Sequence, residues 1–571
     1  PPLDDHDEPV RGVVWPSTSE LLAALRASRL AAADDSLAPL WLDPSGRLYL
    51  KRYARYEQAL ASDLLTRAAA LEVIDDELLA EGLERLFPAS APTKARSSVD
   101  RQRLAACLCV MRRLTVVCGG PGTGKTTTVV KTLCLLQEQR QKLGQRPLDV
   151  LLLAPTGKAA QRLGEALQAG LAALPVDDAI KALVPARAST IHRALGLRNQ
   201  PSLKPRHHQQ NPLSADVVLV DEVSMVDLGL LQRLVDAVRP DARLILQGDQ
   251  DQLVSVEAGA ILGDIYPRQL ELAYSSAFAA ELARVARVEI ADTVPEPGLH
   301  DCLVTLDRSY RYPRNSRLGR LARAINAGDA QAALEILSEP DDMSDTALAD
   351  CRLIEPSAAE LAEHALSPRL ADSVVRGYAD YIRSKDPAEK LTRLGQYRVL
   401  CSHRRGPYGV ERLNLEIEHW LSDAGLLRPS PGFYEHRPII VTQNDYQLDL
   451  MNGDVGVVVR TADQQLRVCF ASANGLRFLL PSRLPPHETV FATTVHKSQG
   501  SEFDAVSIVL PGAPSKLLVR ELLYTAVTRA RRNAELFGSA RLIASAVEQP
   551  IERASGLRAR LWPSSGTPPR R

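Results

Sequence analysis

The sequence predicts an α/β protein with parallel sheets in more than one domain. Its 571 residues exceed what a single hydrophobic core holds. Short apolar runs, LTVVC (114–118), DVLLLA (149–154), DVVLV (216–220) and RLILQ (243–247), each end in a polar motif and lead towards a helical stretch. That alternation belongs to parallel sheets, which bind ligands at the carboxyl ends of their strands. A glycine-rich turn also joins the first of these runs to the helical TTTVVKTLCLLQEQ.

Composition narrows the function. With 45% hydrophobic and 24% charged residues, the chain is neither a fibre nor mostly disordered. Its 69 basic residues balance 69 acidic ones, so any nucleic-acid site must be a local groove. No run approaches the roughly 20 apolar residues of a membrane span. The opening PPLDDHDEP has no export-signal pattern, and a cytoplasmic protein is expected. The eight cysteines contain no CxxC pair, and Cys107 and Cys109 read as buried thiols in an apolar helix, not as zinc ligands.

Residues 1–95 show helical spacing in SELLAALRASRLAA and YARYEQALASDLLTRAAAL, and are expected to form a helical N-terminal domain for docking on a partner. FPASAPTKARSS (87–98) reads as a linker. A first α/β domain is assigned to 96–300, with a polar insertion at about 197–214 whose His207 and His208 read as loop residues. A second covers 301–555, with strands in YRVLCS (397–402) and TVFATTVH (489–496). Several short strands with turn signals, at about 427–487, suggest a small inserted β-barrel. Residues 556–571, ending PSSGTPPRR, are expected to be a disordered tail.

Gly119-Gly120-Pro121-Gly122-Thr123-Gly124-Lys125-Thr126 is a complete GxxxxGK[ST] phosphate loop in its required strand–helix context. Glycines there let backbone N–H groups turn to phosphates, and the helix N-terminus, with Thr127 in its first turn, favours negative charge. Lys125 would neutralise β/γ oxygens, and the Thr126 hydroxyl would ligate Mg²⁺. Asp221 and Glu222 follow the DVVLV strand, where one carboxylate can hold Mg²⁺ and its neighbour can polarise a water. Gln252 in QGDQDQL can donate and accept, and so could report a γ-phosphate. Gln102 could read an adenine edge in the same way, or be a solvated helix residue.

Nine ordered blocks, VDRQ, GGPGTGKTT, LAPTGKAA, STIHRALG, DEVSM, QGDQDQL, LDRSYRYP, ATTVHKSQGSEF and ELLYTAVTRAR, span residues 99 to 535. Together they resemble superfamily 1 DNA helicases of the 5′→3′ branch (superfamily 1B). The short N-terminal segment, the close motif spacing and RPIIVTQND…MNGDVGVV are similar to the D (alpha) subunits of RecBCD-type helicase–nucleases, or exonuclease V.

This resemblance implies two RecA-like domains sharing one ATP–Mg²⁺, with an SH3-like barrel inserted in the second. Arg529 matches the family's arginine finger, Arg311 a second γ-phosphate contact, and Glu502 a residue near the sugar or bridging to the finger. Pro155, Thr156, Thr190, His192, Thr494 and His496 match positions that hold single-stranded DNA by its backbone. The implied partners are single-stranded DNA or duplex ends and RecB-like and RecC-like subunits in a heterotrimer, with no membrane. The insertion at 197–214 occupies the place of a strand-splitting pin in relatives. None of the twelve lysines has Asp or Glu two residues before it, so no nuclease site of the type found in that complex is expected in this chain.

Overall fold

In a computed structural model of the chain, residues 16–562 are described, apart from 33–36, 89–99, 198–204, 256–258, 268–272, 291–292, 295–297, 314, 341–349, 446 and 473–474. Most of the expected linker, the first half of the 197–214 insertion and the last nine residues lie outside them.

Two parallel sheets organise the molecule. The first contains β1 (Leu114–Gly119), β2 (Val150–Ala154), β3 (Ser189–Thr190), β4 (Val217–Val220), β5 (Arg243–Gly248) and β6 (Leu303–Leu306). Their order is β6-β1-β5-β4-β2-β3, every pair parallel. The expected boundary at 300/301 is corrected by this pairing, since Leu303–Leu306 lies beside β1 and belongs to the first domain. Each face is covered, so the strands read as continuous apolar runs. Leu114, Val116, Val218 and Leu244 enter one core, and Val117, Val217, Leu219 and Ile245 the other.

The second sheet contains β7 (Asp350–Ile354), β8 (Tyr397–Cys401), β9 (Ala492–Thr494), β10 (Phe503–Val509) and β11 (Ala530–Phe537), in the parallel order β7-β11-β10-β8-β9. Between β8 and β9 the chain builds a five-stranded antiparallel sheet. Its linear order is Gly475–Leu479, Leu466–Ser472, Val455–Arg460, Pro438–Val441 and His487–Thr489. Ile439, Val441, Val458, Val468 and Phe470 form its own small core.

The N-terminal expectation needs correction in two respects. Helices do form at Thr18–Ala27, Lys51–Ala68 and Asp76–Leu86, but Ala31–Ala32, Leu40–Leu42 and Leu48–Leu50 pair into a small sheet. Nor is this region a separate body. Leu60 and Leu64 pack with Leu114 and Val116 of β1, and Leu79 and Leu83 join the core on the opposite face. Arg67, 3% exposed, donates to the carbonyls of Val238, Arg239 and Ala242, where a first-domain helix ends. The amphipathic faces are there because the first sheet covers them.

The tail is corrected as well. Leu557–Leu561 is a short helix whose Leu557 and Leu561 are buried in the first domain's core. Trp562 Nε1 donates to Ile265 O at 3.2 Å, and Gly556 N to Glu57 Oε1 at 3.0 Å. The described part of the 197–214 insertion is a tight turn bridged at His208–Asn211, with His207 and His208 in the loop. All eight cysteines are buried and free. Among the described residues no helix is long and apolar enough to cross a membrane.

Candidate nucleotide and nucleic-acid site

β1 is buried along its whole length, and the chain turns sharply where it emerges. Gly122 and Gly124 take φ angles of +72° and +82°, which L-residues avoid. Space also demands glycine here. A Cβ at Gly122 would lie 2.3 Å from Arg311 Cβ, and one at Gly124 would lie 2.2 Å from Gln102 Nε2. The carbonyls of the turn are held from outside. Thr123 Oγ1 donates to Gly120 O at 2.9 Å, Gln102 Nε2 to Thr123 O at 2.9 Å, and Tyr310 N to Gly122 O at 2.7 Å. The helix Lys125–Lys142 begins immediately after, so its first-turn N–H groups lack intrahelical acceptors. Lys125 Nζ folds over the turn, 2.6 Å from Gly119 O and 3.1 Å from Gly120 O.

Asp221 and Glu222 sit at the carboxyl end of β4. Asp221 N is tied to Leu153 O at 2.9 Å, and Glu222, at φ +55°, turns back so that its N–H donates to Asp221 Oδ1 at 2.9 Å. Burial raises the Asp221 carboxyl above its usual range and Glu222 adds to this, while Lys125 opposes it. A desolvated carboxyl held in this state gains most from a nearby cation. Thr126, half-buried at the start of the helix, has no side-chain hydrogen bond among the described residues. A hydroxyl, a half-buried carboxylate and an N–H-rich turn form a donor set that fits Mg²⁺ bound to a polyphosphate. Gln252, after β5, is buried, with Nε2 donating to Asp249 Oδ2 at 2.9 Å.

The second domain closes over this cluster. Glu502 and Arg529 stand at the amino ends of the paired strands β10 and β11. Glu502 forms ion pairs with Arg311 and, at 3.2 Å, with Arg531. Burial alone would raise the Glu502 carboxyl, but Arg311, Arg162 and Arg529 outweigh it and hold the group below its usual range. Arg529, only 3% exposed, donates to Thr525 O at 3.1 Å and Ser501 O at 3.2 Å. Gln102 and Arg311 therefore meet the Gly119–Thr127 turn directly, Lys125 is within electrostatic reach of Asp221, and Glu502, which Arg529 also influences, joins the turn through Arg311. Further along the same cleft, Leu253 N donates to Thr525 Oγ1 at 2.8 Å and Gln499 Nε2 to Leu253 O at 2.6 Å.

Two family models match where these halves lie, an AAA domain over residues 102–258 and a UvrD-like helicase C-terminal domain over 489–536. The RecBCD enzyme subunit RecD of Mycobacterium tuberculosis (H37Rv) is 40% identical over 97% of this chain and 86% of its own length. The chain belongs to the RecD family. The subunit of the same name from Haemophilus influenzae is 34% identical over 83% of this chain and 73% of that protein. An ATP-dependent RecD2 DNA helicase of Deinococcus radiodurans is 31% identical over 90% of this chain but only 59% of that protein.

The remaining motif positions of this RecD-family chain share one local design. Thr190 and Thr494 each end a strand, Thr156 lies two residues past one, and all three cap the helix that follows. Their Oγ1 atoms accept from Ala159 N, Arg193 N and Lys497 N, each at 3.2 Å. Each oxygen is used as an acceptor, which leaves the hydroxyl proton available to donate. Pro155 and Thr156 follow β2, Thr190 ends β3 and His192 follows it, at the side of the sheet remote from β6. Thr494 and His496 lie at the carboxyl end of β9, the opposite end of the second sheet from Glu502 and Arg529. Burial and Arg553 lower the His496 imidazole below its usual range.

Three nearby side chains were not singled out from sequence. Arg162 lies one turn after Ala159, whose Cβ would be 3.7 Å from a Cβ at Gly500, and it faces Glu502 and Arg529. Lys158 is pushed down to about 7 by burial and by Arg162 and Arg398, with only Asp454 opposing. Tyr310, 60% exposed, places its ring 3.7 Å from a Cβ at Gly124, beside Gln102. Lys158 is visible in APTGKAA, as one of few lysines in an arginine-rich chain. Arg162 carries no such signal.

Proposed function

We propose that this chain is the D subunit of a RecBCD-type helicase–nuclease, an ATP- and Mg²⁺-dependent motor that moves 5′→3′ along single-stranded DNA in double-strand break repair. The observation that carries the reading is the contact across the cleft between the Gly119–Thr126 turn and Arg311, itself paired to Glu502, with Asp221 in electrostatic reach of Lys125. Lys125 and the turn's N–H groups would hold the β/γ-phosphates. Thr126 and Asp221 would hold Mg²⁺, which neutralises charge on the phosphate oxygens. Glu222 would orient the attacking water, and Arg529 and Arg311 would balance charge as the terminal phosphoryl group leaves. Gln102 and the exposed face of Tyr310 supply an edge and a surface for the base.

The three capping threonines, with Pro155, His192 and His496, support a strand track over both RecA-like domains. Short donors at strand ends suit a sugar–phosphate backbone held without reading sequence. Closure on ATP and opening after hydrolysis would then move the strand, because the two states grip it differently. The inserted antiparallel sheet is read as an SH3-like barrel beside this track, and the N-terminal helices as part of the docking surface for RecB-like and RecC-like subunits. The subunit reading is favoured over a stand-alone helicase because the chain is 40% identical to the M. tuberculosis subunit but 31% identical to the D. radiodurans helicase.

The test has two arms. Lys125→Gln should abolish ATP hydrolysis and unwinding while the melting profile is kept. Wild-type chain, alone and with its partners, should unwind 5′-tailed duplexes in preference to 3′-tailed ones. DNA-stimulated hydrolysis surviving Lys125→Gln, or a preference for 3′ tails, would reject the reading.

A further inference from the structure

We infer that Tyr524 is a positioning residue that couples Gln252 to the helix leading into Arg529. The inference rests on the reading of the cleft as an ATP site. Tyr524 lies on the second-domain helix Arg520–Val527, five residues before Arg529, and is 4% exposed. Its hydroxyl crosses the cleft and donates to Asp249 Oδ2 at 3.3 Å. Gln252 Nε2 donates to that same oxygen at 2.9 Å, and Asp251 N takes the other carboxylate oxygen at 3.1 Å. The Tyr524 hydroxyl is also 3.1 Å from where a Cβ on Gly120 would stand, so the phenol touches the phosphate turn itself. The next residue, Thr525, accepts from Leu253 N, and thus the helix grips the 249–253 segment at two consecutive positions.

This geometry makes one carboxylate oxygen a junction. Gln252 and Tyr524 approach Asp249 Oδ2 from different domains, and a Gln252 amide that turns to a terminal phosphate gives up its bond there. Tyr524 is then the side-chain donor left to that oxygen, and the position of its helix, with Arg529 at its end, follows the state of Gln252. Burial, with Asp249 and Asp251 nearby, keeps the phenol protonated, so it remains a donor throughout the working pH range. The ring packs in the second domain's core, and that structural role must be separated from the role of the hydroxyl.

Tyr524→Phe makes the separation because it removes one oxygen and keeps the ring. In the full chain, with partner subunits present where they co-purify, the variant should melt as wild type. Its KM for ATP should stay within about twofold, while kcat at saturating single-stranded DNA falls about ten- to a hundredfold, the range of a hydrogen bond to a charged group. Asp249→Asn, made on the other side of the cleft, should lower kcat comparably, and the double variant should be no worse than the more impaired single. Wild-type kcat in Tyr524→Phe, or independent multiplication of the two effects, would overturn the inference. If Lys125→Gln stays active the underlying cleft reading fails; if it is dead while Tyr524→Phe is normal, only the coupling fails.

Discussion

Alanine at Gly122 tests the shape of the turn on which nucleotide binding depends. The φ of +72° costs an L-residue roughly 1–2 kcal/mol. The new Cβ would stand 2.3 Å from Arg311 Cβ and 3.1 Å from Arg311 N, atoms fixed to backbone, so something must shift. Overpacking of that kind adds about 1–3 kcal/mol, for a total of roughly 2–5 kcal/mol. The cost appears in one of two places. A turn that keeps its shape lowers stability, whereas a turn that relaxes must be rebuilt by the ligand, weakening ATP binding roughly thirtyfold to a few thousandfold.

Gly124→Ala is the internal control. Its φ of +82° imposes similar strain, but the obstructing atom is the far end of the Gln102 side chain at 2.2 Å. That amide can swing away for about 1 kcal/mol, the hydrogen bond it makes to Thr123 O. Gln102→Ala in the same chain should remove the clash and leave only the strain. Calorimetric ATP binding together with thermal unfolding measures both possible losses. Wild-type values for Gly122→Ala in both assays, or a larger loss for Gly124→Ala, would refute the reasoning.

Other predictions follow from the buried groups. Asp221 has a raised pKa, so a proton competes with Mg²⁺: the Mg²⁺ needed for half-maximal ATPase should rise as pH falls below neutral, and a flat response from pH 8 to 6 would argue against Asp221 as a ligand. Desolvation, with Arg162 and Arg398 nearby, pushes the Lys158 ammonium down to about 7, and a phosphate of the proposed strand track seated beside it would raise it again. Single-stranded DNA affinity should therefore fall as pH rises from 6.5 to 8.5 with proton uptake on binding, and Lys158→Met should flatten the profile. Arg67→Ala removes a donor from three carbonyls after a first-domain helix, leaving those of Val238 and Ala242 without it and Arg239 O with only Ala242 N, and should cost about 3–5 kcal/mol in denaturant unfolding. Removing residues 1–95 should likewise leave an unstable remainder, and a stable, active truncation would contradict the packing of Leu60, Leu64, Leu79 and Leu83.

What could be read from the chain divides along physical lines. Whereas β3 is only Ser189–Thr190, strands β1, β2, β4 and β5 are apolar runs ending in polar residues, so they and the groups at their ends were legible from local pattern alone. Asp221 and Lys125 are examples. The helices Lys51–Ala68 and Asp76–Leu86 were equally visible, but an amphipathic stripe does not say what covers it, and here that partner is the first sheet. Leu557 and Leu561 read as tail in the sequence because five residues are too few to show a period. The set around Glu502 draws Arg529 and Arg531 from the neighbouring strand, Arg311 from 191 residues earlier and Arg162 from across the cleft, so only the folded chain brings them together. Arg162 in particular is hidden by a composition so rich in arginine.

The central claim is that two domains act on one terminal phosphoryl group, and Arg529→Lys tests it most directly, since charge and stem remain while the planar fork is lost. With nucleotide binding and melting checked as unchanged, single-turnover ATP hydrolysis on single-stranded DNA should slow by about 10³ or more. A rate within tenfold of wild type would contradict the account.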